Sequence, residues 1–106
     1  MYYIYMLRCE DNSIYTGITV NVGRRMEEHF SKNKKCAKYT FSHQAKKIEA
    51  VWETENKSLA SKLEFNIKKL KKIEKEEIIL TKDLGKYLEE KIETEKYKYI
   101  RDFIEI

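Results

Sequence analysis

Proline is absent from this chain of 106 residues, and glycine occurs only three times. Because these two residues mark most turns, the sequence contains few sharp element boundaries. The two cysteines, Cys9 and Cys36, are too few for a disulfide framework, and the six residues between Cys36 and His43 fit no common zinc spacing. We therefore expect free thiols and no zinc site.

Long apolar runs are also missing. No run approaches the roughly 20 residues that a membrane-spanning helix needs, and residues 1–5 lack the basic and apolar regions of a signal peptide. We therefore expect a cytoplasmic protein without a membrane partner. With 106 residues, 42% of them hydrophobic, the chain has enough material for one core and no room for a second.

The net charge is only +4, but it is unevenly distributed. Residues 1–81 contain 16 Lys and Arg against 11 Asp and Glu, a balance of +5, whereas residues 82–106 contain 6 against 7, a balance of −1. This distribution favours a polyanionic partner for the first three-quarters of the chain. Charge alone leaves an ordinary solvated surface as an equal alternative.

Three segments have the aromatic and aliphatic content of strands: residues 2–9, 14–18 and 47–54. The polar residues 10–13 form a turn between the first two, which predicts a hairpin.

Two segments have the apolar spacing of helices. Asn21 can cap the first, whose apolar stripe is Val22, Met26 and Phe30. The second begins near Ser58, and its stripe is Leu59, Leu63, Ile67, Leu70 and Ile73. Residues 31–45 between them are polar, basic and aperiodic, which predicts a long loop. Residues 78–80 indicate a short further helix.

The order strand, strand, helix, strand, helix predicts an α+β domain with a small three-stranded antiparallel sheet flanked by helices. We assign this domain to residues 1–80 and an extra C-terminal helical segment to residues 81–106. The apolar positions of that segment are Leu84, Leu88, Ile92, Tyr99 and Phe103. We favour packing of this segment on its own domain; the alternative is an interface with a protein partner or a second copy of the chain.

Three local features carry candidate chemistry. Tyr5 and Tyr15 are tyrosines of the predicted hairpin. Arg25 and His29 lie four residues apart, so they share one helix face beside the apolar stripe. Glu64 lies one residue off the core-facing line of the second helix, at a border from which a carboxylate can reach a cleft.

Together these residues resemble the GIY-YIG nuclease superfamily, in particular its small stand-alone bacterial proteins and the catalytic subunit of the structure-selective endonuclease that acts on branched DNA. The resemblance runs from Tyr3 to about Leu80. Its elements are the two tripeptides at 3–5 and 15–17, the spacing of ten residues from Tyr15 to Arg25 and four more to His29, the segment 37–40, and the pattern Leu-Glu-x-x-Ile-Lys-x-Leu around Glu64. All of them occur in the family order.

The chain departs from the family tripeptides at two positions. Tyr3 stands where the family has glycine, and Thr16 stands where it has isoleucine. Both tyrosines and the final glycine, Gly17, are in place, so the departures leave the chemistry of the tripeptides intact.

The resemblance implies hydrolysis of a phosphodiester bond with one divalent cation, Mg²⁺ or Mn²⁺, held by Glu64 and water molecules. Arg25 would grip the scissile phosphate, because its planar fork suits two phosphate oxygens. Tyr15 is the candidate base that accepts the proton of the attacking water, and Tyr5 would orient the phosphate or the nucleophile. His29 would hydrogen-bond a tyrosine or carry a proton.

The implied substrate is DNA, with a preference for branched, single-stranded or damaged forms. Lys35, Lys38 and Tyr39 in the loop are candidates for following its backbone, and Tyr39 also offers a ring for stacking. Because the chain has no separate recognition domain, we expect selectivity for structure rather than sequence.

A different class of function stays open: a nucleic-acid-binding module whose catalysis is vestigial or needs a partner. Each candidate residue also has a plain structural interpretation. The tyrosines would be packing residues, Arg25 would pair with Glu28, and Glu64 would make a weak surface pair with Lys68.

Strand register decides whether the two tyrosines can share a site. Side chains alternate between the faces of a sheet, so Tyr5 and Tyr15 share a face only if opposed residue numbers have an even sum, as with Arg8 opposite Ile14. That sum requires a turn with an odd number of residues, such as 9–13. Arg25 and Glu64 should then converge on the same cleft with His29, and the predicted loop of residues 31–45, with its lysines, should lie at the rim of that cleft.

Overall fold

Ten elements of secondary structure make up the part of the chain that the computed structural model describes, residues 1–31 and 37–103. In chain order they are β1 (Tyr2–Cys9), β2 (Ile14–Thr19), α1 (Val22–Ser31), α2 (Lys38–Ser42), β3 (Ala45–Thr54), α3 (Lys57–Lys68), α4 (Lys72–Thr81), α5 (Gly85–Leu88), a short 3-10 helix (Thr94–Lys96) and β4 (Lys98–Tyr99).

The strands form one antiparallel sheet in the order β2-β1-β3-β4, so the α+β prediction is confirmed. The predicted number of three strands is wrong, because β4 adds a fourth strand to β3, with Tyr99 opposite Trp52. A strand of two residues shows no alternation of apolar side chains, which explains why the sequence pattern did not reveal it.

The register of the hairpin gives opposed residue numbers an even sum, which is the condition for the two tyrosines to share a face. Arg8 lies opposite Ile14, and Tyr5 lies opposite Gly17. The prediction that Tyr5 and Tyr15 share a face of the sheet is therefore confirmed.

A turn of five residues sets this register. The Cys9 amide donates to the Ser13 carbonyl at 2.9 Å, and the Asp11 carboxylate accepts from the Ser13 amide at 3.0 Å and from the Ser13 hydroxyl at 2.6 Å. Asn12 has a left-handed backbone with φ of 70°, a conformation that asparagine tolerates better than most residues. The turn therefore has local chemistry suited to an odd number of residues.

The sheet carries a different buried cluster on each face. We call the first the core face; its cluster is Ile4, Met6, Ala50, Trp52, Ala60, Leu63, Ile67, Ile78, Ile79, Leu84, Leu88, Ile92 and Tyr97. We call the second the site face; its cluster is Tyr5, Leu7, Val22, Met26, Ala45 and Val51. Helix α1 thus covers the site face, whereas α3, α4 and most of the C-terminal segment cover the core face. Ile100 and Phe103, later in that segment, pack against the site face instead.

The C-terminal segment packs on the core face with three of its predicted apolar positions, Leu84, Leu88 and Ile92. Its helical content is limited to α5 and the short 3-10 helix within the described residues. The expected continuation of the helical pattern is wrong, because Tyr99 lies in β4 and Phe103 packs edge-on against Tyr3, with 6.2 Å between ring centroids. The Tyr97 hydroxyl also ties the segment to α3 by donating to the Leu59 carbonyl at 2.6 Å.

Other expectations from periodicity also need correction. Helix α2 occupies Lys38–Ser42, inside the predicted loop 31–45. Ile73 is 75% exposed, because α3 ends at Lys68 and Ile73 belongs to the separate helix α4. None of the described helices combines the length and apolar composition that a membrane crossing requires.

Candidate active site

Tyr5 lies at the centre of the site face. Its side chain is fully buried, and its hydroxyl lies 2.8 Å from Nε2 of His29. The Nε of Arg25 donates to the same hydroxyl at 3.4 Å. Burial raises the pKa of Tyr5 well above its ordinary value, and the hydrogen bond from Arg25 offsets part of that rise. Tyr5 is therefore a protonated phenol held between two side chains of α1.

Gly17 leaves the space in which the Tyr5 ring lies. A Cβ atom at Gly17 would overlap the Tyr5 hydroxyl, lie 2.6 Å from its Cζ and lie 3.0 Å from Cε2 of Tyr15. Because Gly17 is directly opposite Tyr5, any other residue there would displace this ring. The final glycine of the second tripeptide is thus required by the position of the first tripeptide's tyrosine.

Tyr15 lies beside Tyr5 with its ring half-buried. Its ring centroid is 6.2 Å from that of Tyr5, 5.5 Å from that of His29 and 5.6 Å from that of Tyr39. Within the described part of the chain its hydroxyl makes no hydrogen bond. The Tyr15 ring is therefore fixed by its neighbours, while its oxygen is available to a substrate or a water molecule.

Arg25 and His29 reach the tyrosines from consecutive turns of α1. The Asn21 side chain caps this helix by accepting from the Arg24 amide at 3.0 Å, as predicted. His29 is fully buried, and burial together with the charge of Arg25 lowers its pKa to about 4. The predicted structural pair is also present, because Nη1 of Arg25 lies 2.6 Å from Oε1 of Glu28.

Glu64 approaches the same group from α3. Its carboxylate lies 3.2 Å from the Lys68 ammonium, and that ammonium lies 5.7 Å from the Tyr15 ring centroid. Burial is the main cause of the raised pKa of Tyr5, and the charge of Glu64 adds only a small part of that rise. The predicted pair with Lys68 is therefore present, and this lysine borders the Tyr15 ring, whereas the role of Glu64 beside the tyrosines stays a prediction.

The donor set suits a cation that keeps most of its water. Among the described residues no three His, Cys, Asp or Glu side chains come together as a metal cage. The Glu64 side chain is 23% exposed, so its carboxylate is open to a hydrated ion. Mg²⁺ is commonly bound through one or two carboxylates with water completing its shell. The described residues around Glu64 therefore fit such an ion.

Of the residues predicted to contact nucleic acid, only some lie near the two tyrosines of the candidate active site. Tyr39 stacks on Tyr15 and also on His43, where the ring centroids are 4.2 Å apart. A base stacking on Tyr39 would therefore compete with His43 for ring surface. Lys38 is exposed at the start of α2, and Lys35 lies outside the described residues.

Thr40 is a contact that the sequence analysis missed. It is fully buried, and its hydroxyl lies 2.6 Å from Nδ1 of His29. It belongs to the segment 37–40 of the resemblance, but ten residues of mostly polar chain separate it from His29, and no helical or strand spacing relates the two. Only the fold of α2 onto α1 brings them together.

This arrangement coincides with a known domain. Residues 1–77 match the model of the GIY-YIG catalytic domain. The chain therefore belongs to the GIY-YIG nuclease family, and the resemblance inferred from its tripeptides and helix motifs is confirmed.

Within that family the chain is similar to UPF0213 proteins of bacteria. One from Fusobacterium nucleatum is 52% identical over 82 residues, covering 77% of this chain and 80% of that protein. One from Cupriavidus necator is 43% identical over 74 residues, covering 70% and 78%. The solution NMR structure of a UPF0213 protein from Bacillus halodurans aligns with a TM-score of 0.51 at 35% identity, covering 82% of this chain and 92% of that one.

Proposed function

We propose that this protein is a metal-dependent endonuclease that hydrolyses DNA phosphodiester bonds and selects its substrate by structure rather than by sequence. The observation that carries the proposal is the convergence of Tyr5, Tyr15, Arg25 and His29, from three different elements, on the site face, with the Glu64–Lys68 pair of α3 beside Tyr15. Packing alone does not require a buried phenol, a guanidinium and an imidazole to meet there.

Arg25 is the phosphate-binding residue in this proposal. A guanidinium presents five donors in a planar fork, and its bonds to Tyr5 and Glu28 fix that fork at the edge of the site. A scissile phosphate would take donors from the same fork and compete with Glu28 for the charge. The transition state, which carries more charge on the non-bridging oxygens, would compete better than the ground state.

Tyr15 is the proposed proton acceptor for the attacking water. A phenol is a weak base at neutral pH unless positive charge stabilises its ionised form. The Lys68 ammonium lies 5.7 Å from the centroid of the Tyr15 ring. Tyr5 differs, because its hydroxyl is already engaged by His29 and Arg25. Tyr15 therefore takes the proton, and Tyr5 positions the reacting groups.

Glu64 would hold the divalent cation, Mg²⁺ or Mn²⁺. When bound, this ion neutralises charge on the phosphate and assists the leaving oxygen. Lys68 must then release Glu64 or share it, and a half-exposed pair of this kind costs little to rearrange.

The DNA would lie across the half-exposed side of the candidate active site, along α2. Lys38 is exposed there, and residues 1–81 carry the net charge of +5 that favours a polyanion. No long recognition helix or separate domain is present among the described residues to read base edges. Selection among branched, single-stranded or damaged DNA would therefore depend on how the backbone fits the site.

One observation favours a second candidate, a DNA-binding module without catalysis of its own. Both proposed catalytic charges have internal partners, Arg25 with Glu28 and Glu64 with Lys68. In this case the pairs would stay closed unless a partner protein opened the site.

The deciding experiment incubates the protein with duplex, flap, fork and single-stranded oligonucleotides in Mg²⁺, Mn²⁺ or chelator. Wild type and Glu89→Gln, which alters an exposed glutamate of the C-terminal segment, should cut in metal and not in chelator. Glu64→Gln should abolish cutting while retaining the fold and DNA binding, because no second matched carboxylate can replace it. Equal cutting by Glu64→Gln, or cutting in chelator, would reject the metal assignment. Binding by wild type without cutting in any metal would select the second candidate.

A further inference from the structure

The two ring nitrogens of His29 contact two different hydroxyl groups. Nε2 lies 2.8 Å from the Tyr5 hydroxyl, and Nδ1 lies 2.6 Å from the Thr40 hydroxyl. Because its pKa is lowered to about 4, the ring is neutral at pH 7 and carries one proton. One nitrogen must therefore donate and the other must accept.

Thr40 decides which nitrogen carries the proton. Its hydroxyl also donates to the Ala37 carbonyl at 3.2 Å, and a carbonyl oxygen can only accept. A hydroxyl has a single proton, so once that proton is directed to Ala37 the Thr40 oxygen can only accept from His29. Nδ1 of His29 then carries the hydrogen, and Nε2 presents a lone pair to Tyr5.

The consequence reaches the Tyr5 oxygen. With Nε2 as an acceptor, the Tyr5 proton is committed to His29, and the oxygen keeps only acceptor capacity. It already accepts from Nε of Arg25 at 3.4 Å. A remaining lone pair can accept from the O–H of a water molecule but cannot donate to a phosphate oxygen.

We propose that Thr40 is a positioning residue that fixes His29 as the Nδ1–H tautomer, so that Tyr5 acts as a hydrogen-bond acceptor that orients the attacking water rather than the phosphate. This inference rests on the proposed nuclease function, because it assigns a role within the same site. It chooses between the two roles that the family resemblance leaves open for Tyr5.

The first test is the tautomer itself and needs no cleavage. In ¹⁵N-labelled full-length protein at pH 7, long-range ¹H–¹⁵N correlation of the two histidines, assigned with a His43→Gln variant, reports which nitrogen of His29 is protonated. The wild type should show a protonated Nδ1 and an unprotonated Nε2. The reverse pattern would overturn the proposal.

Substitutions at Thr40 separate positioning from packing. Thr40→Val keeps the shape and removes the hydroxyl, so His29 should shift toward the Nε2–H tautomer, whereas Thr40→Ser should retain Nδ1–H. Thr54→Val is the matched control: Thr54 is also buried, and its hydroxyl donates to the Lys96 carbonyl at 2.9 Å, away from His29. Thr54→Val should lose stability and leave the tautomer unchanged. An unchanged tautomer in a folded Thr40→Val protein would also overturn the proposal.

Cleavage provides the second readout. Thr40→Val should lower kcat by about 10- to 100-fold, the range typical of losing a residue that orients a ligand through its hydrogen bond, with little change in KM. Thr40→Ser should recover most of the loss. If wild type cuts no substrate, the nuclease function fails while the NMR result still decides the role of Thr40. If Thr40→Val flips the tautomer and kcat does not change, the assigned role of Tyr5 is wrong.

Discussion

Strand β1 contributes different kinds of side chain to the core face and to the site face of the sheet. Ile4 and Met6 point to the core face, where they are fully buried among aliphatic side chains of the helices. Tyr5 and Leu7 alternate with them and point to the site face, where Tyr5 is equally buried but hydrogen-bonded. Burial therefore does not distinguish the faces. The difference lies in whether the buried atoms are apolar or carry a donor and an acceptor.

The same alternation divides the two tripeptides. Ile4 and Thr16 point to the core face, because Thr16 lies opposite Met6. Tyr5, Tyr15 and Gly17 belong to the site face. The middle position of each tripeptide is thus a packing position, whereas Tyr5, Tyr15 and Gly17 build the site. This explains why a departure at position 16 leaves the site geometry intact.

The largest expected effect is a loss of stability caused by a substitution on the core face alone. Trp52 is 2% exposed, and its ring packs edge-on against Tyr99 at 5.7 Å. Trp52→Ala should lower the free energy of unfolding by about 3–5 kcal/mol, as large-to-small core substitutions do. Urea unfolding measures this loss. Any protein that remains folded should cleave at the wild-type rate; a selective loss of cleavage would show that the faces are coupled.

Substitutions of Arg25 change the site face, and their expected effect is on catalytic activity rather than on stability. Arg25→Ala should reduce kcat/KM by an amount equivalent to about 2–4 kcal/mol, the scale of losing one preorganised donor to a developing oxyanion. Arg25→Lys should recover only part, because the fork is lost. The exposed neighbour Arg24 provides the control, and Arg24→Ala should have little effect. Full turnover by Arg25→Lys would mean that Arg25 contributes only positive charge.

His29 should make stability depend on pH through the site face. Its pKa is about 4 in the folded protein against an ordinary value of 6.5. Between these values the unfolded chain binds a proton that the folded chain does not, so stability should fall as pH drops from about 6.5 to about 4 and should gain nothing from this group above 6.5. Urea unfolding across this range should show that slope in wild type and in His43→Gln. The slope should be weaker in His29→Gln; an unchanged slope there would assign it to other groups.

Much of this contrast could be predicted from the sequence, because it depends on local periodicity. A hairpin turn with an odd number of residues, such as 9–13, predicts Tyr5 and Tyr15 on one face, and the spacing of four predicts Arg25 and His29 on one side of a helix. The structure brings those pairs together as expected. Thr40 and β4 could not be predicted in this way, because each depends on a contact between distant segments that leaves no periodic pattern.

The smallest expected effect is a gain in stability at the middle of the second tripeptide. Thr16 is 3% exposed on the core face, and its hydroxyl has no hydrogen-bond partner among the described residues. An unsatisfied buried hydroxyl costs about 1–3 kcal/mol, whereas a methyl group in the same place costs nothing of that kind. Thr16→Val should therefore raise the free energy of unfolding by about 1 kcal/mol, the lower end of that range, because the new methyl must be accommodated.

Urea unfolding and the cleavage assay together decide this point. Thr16→Val should unfold at higher urea and cut at the wild-type rate, because its side chain points away from Tyr5 and Tyr15. Thr19→Val, at a half-exposed position of the same strand whose hydroxyl is hydrogen-bonded to the Asn21 backbone, is the control and should not gain stability. If Thr16→Val loses stability, the hydroxyl has a partner that the folded protein needs. If it loses activity at full stability, position 16 belongs to the site, and the division of the tripeptides between the two faces is wrong.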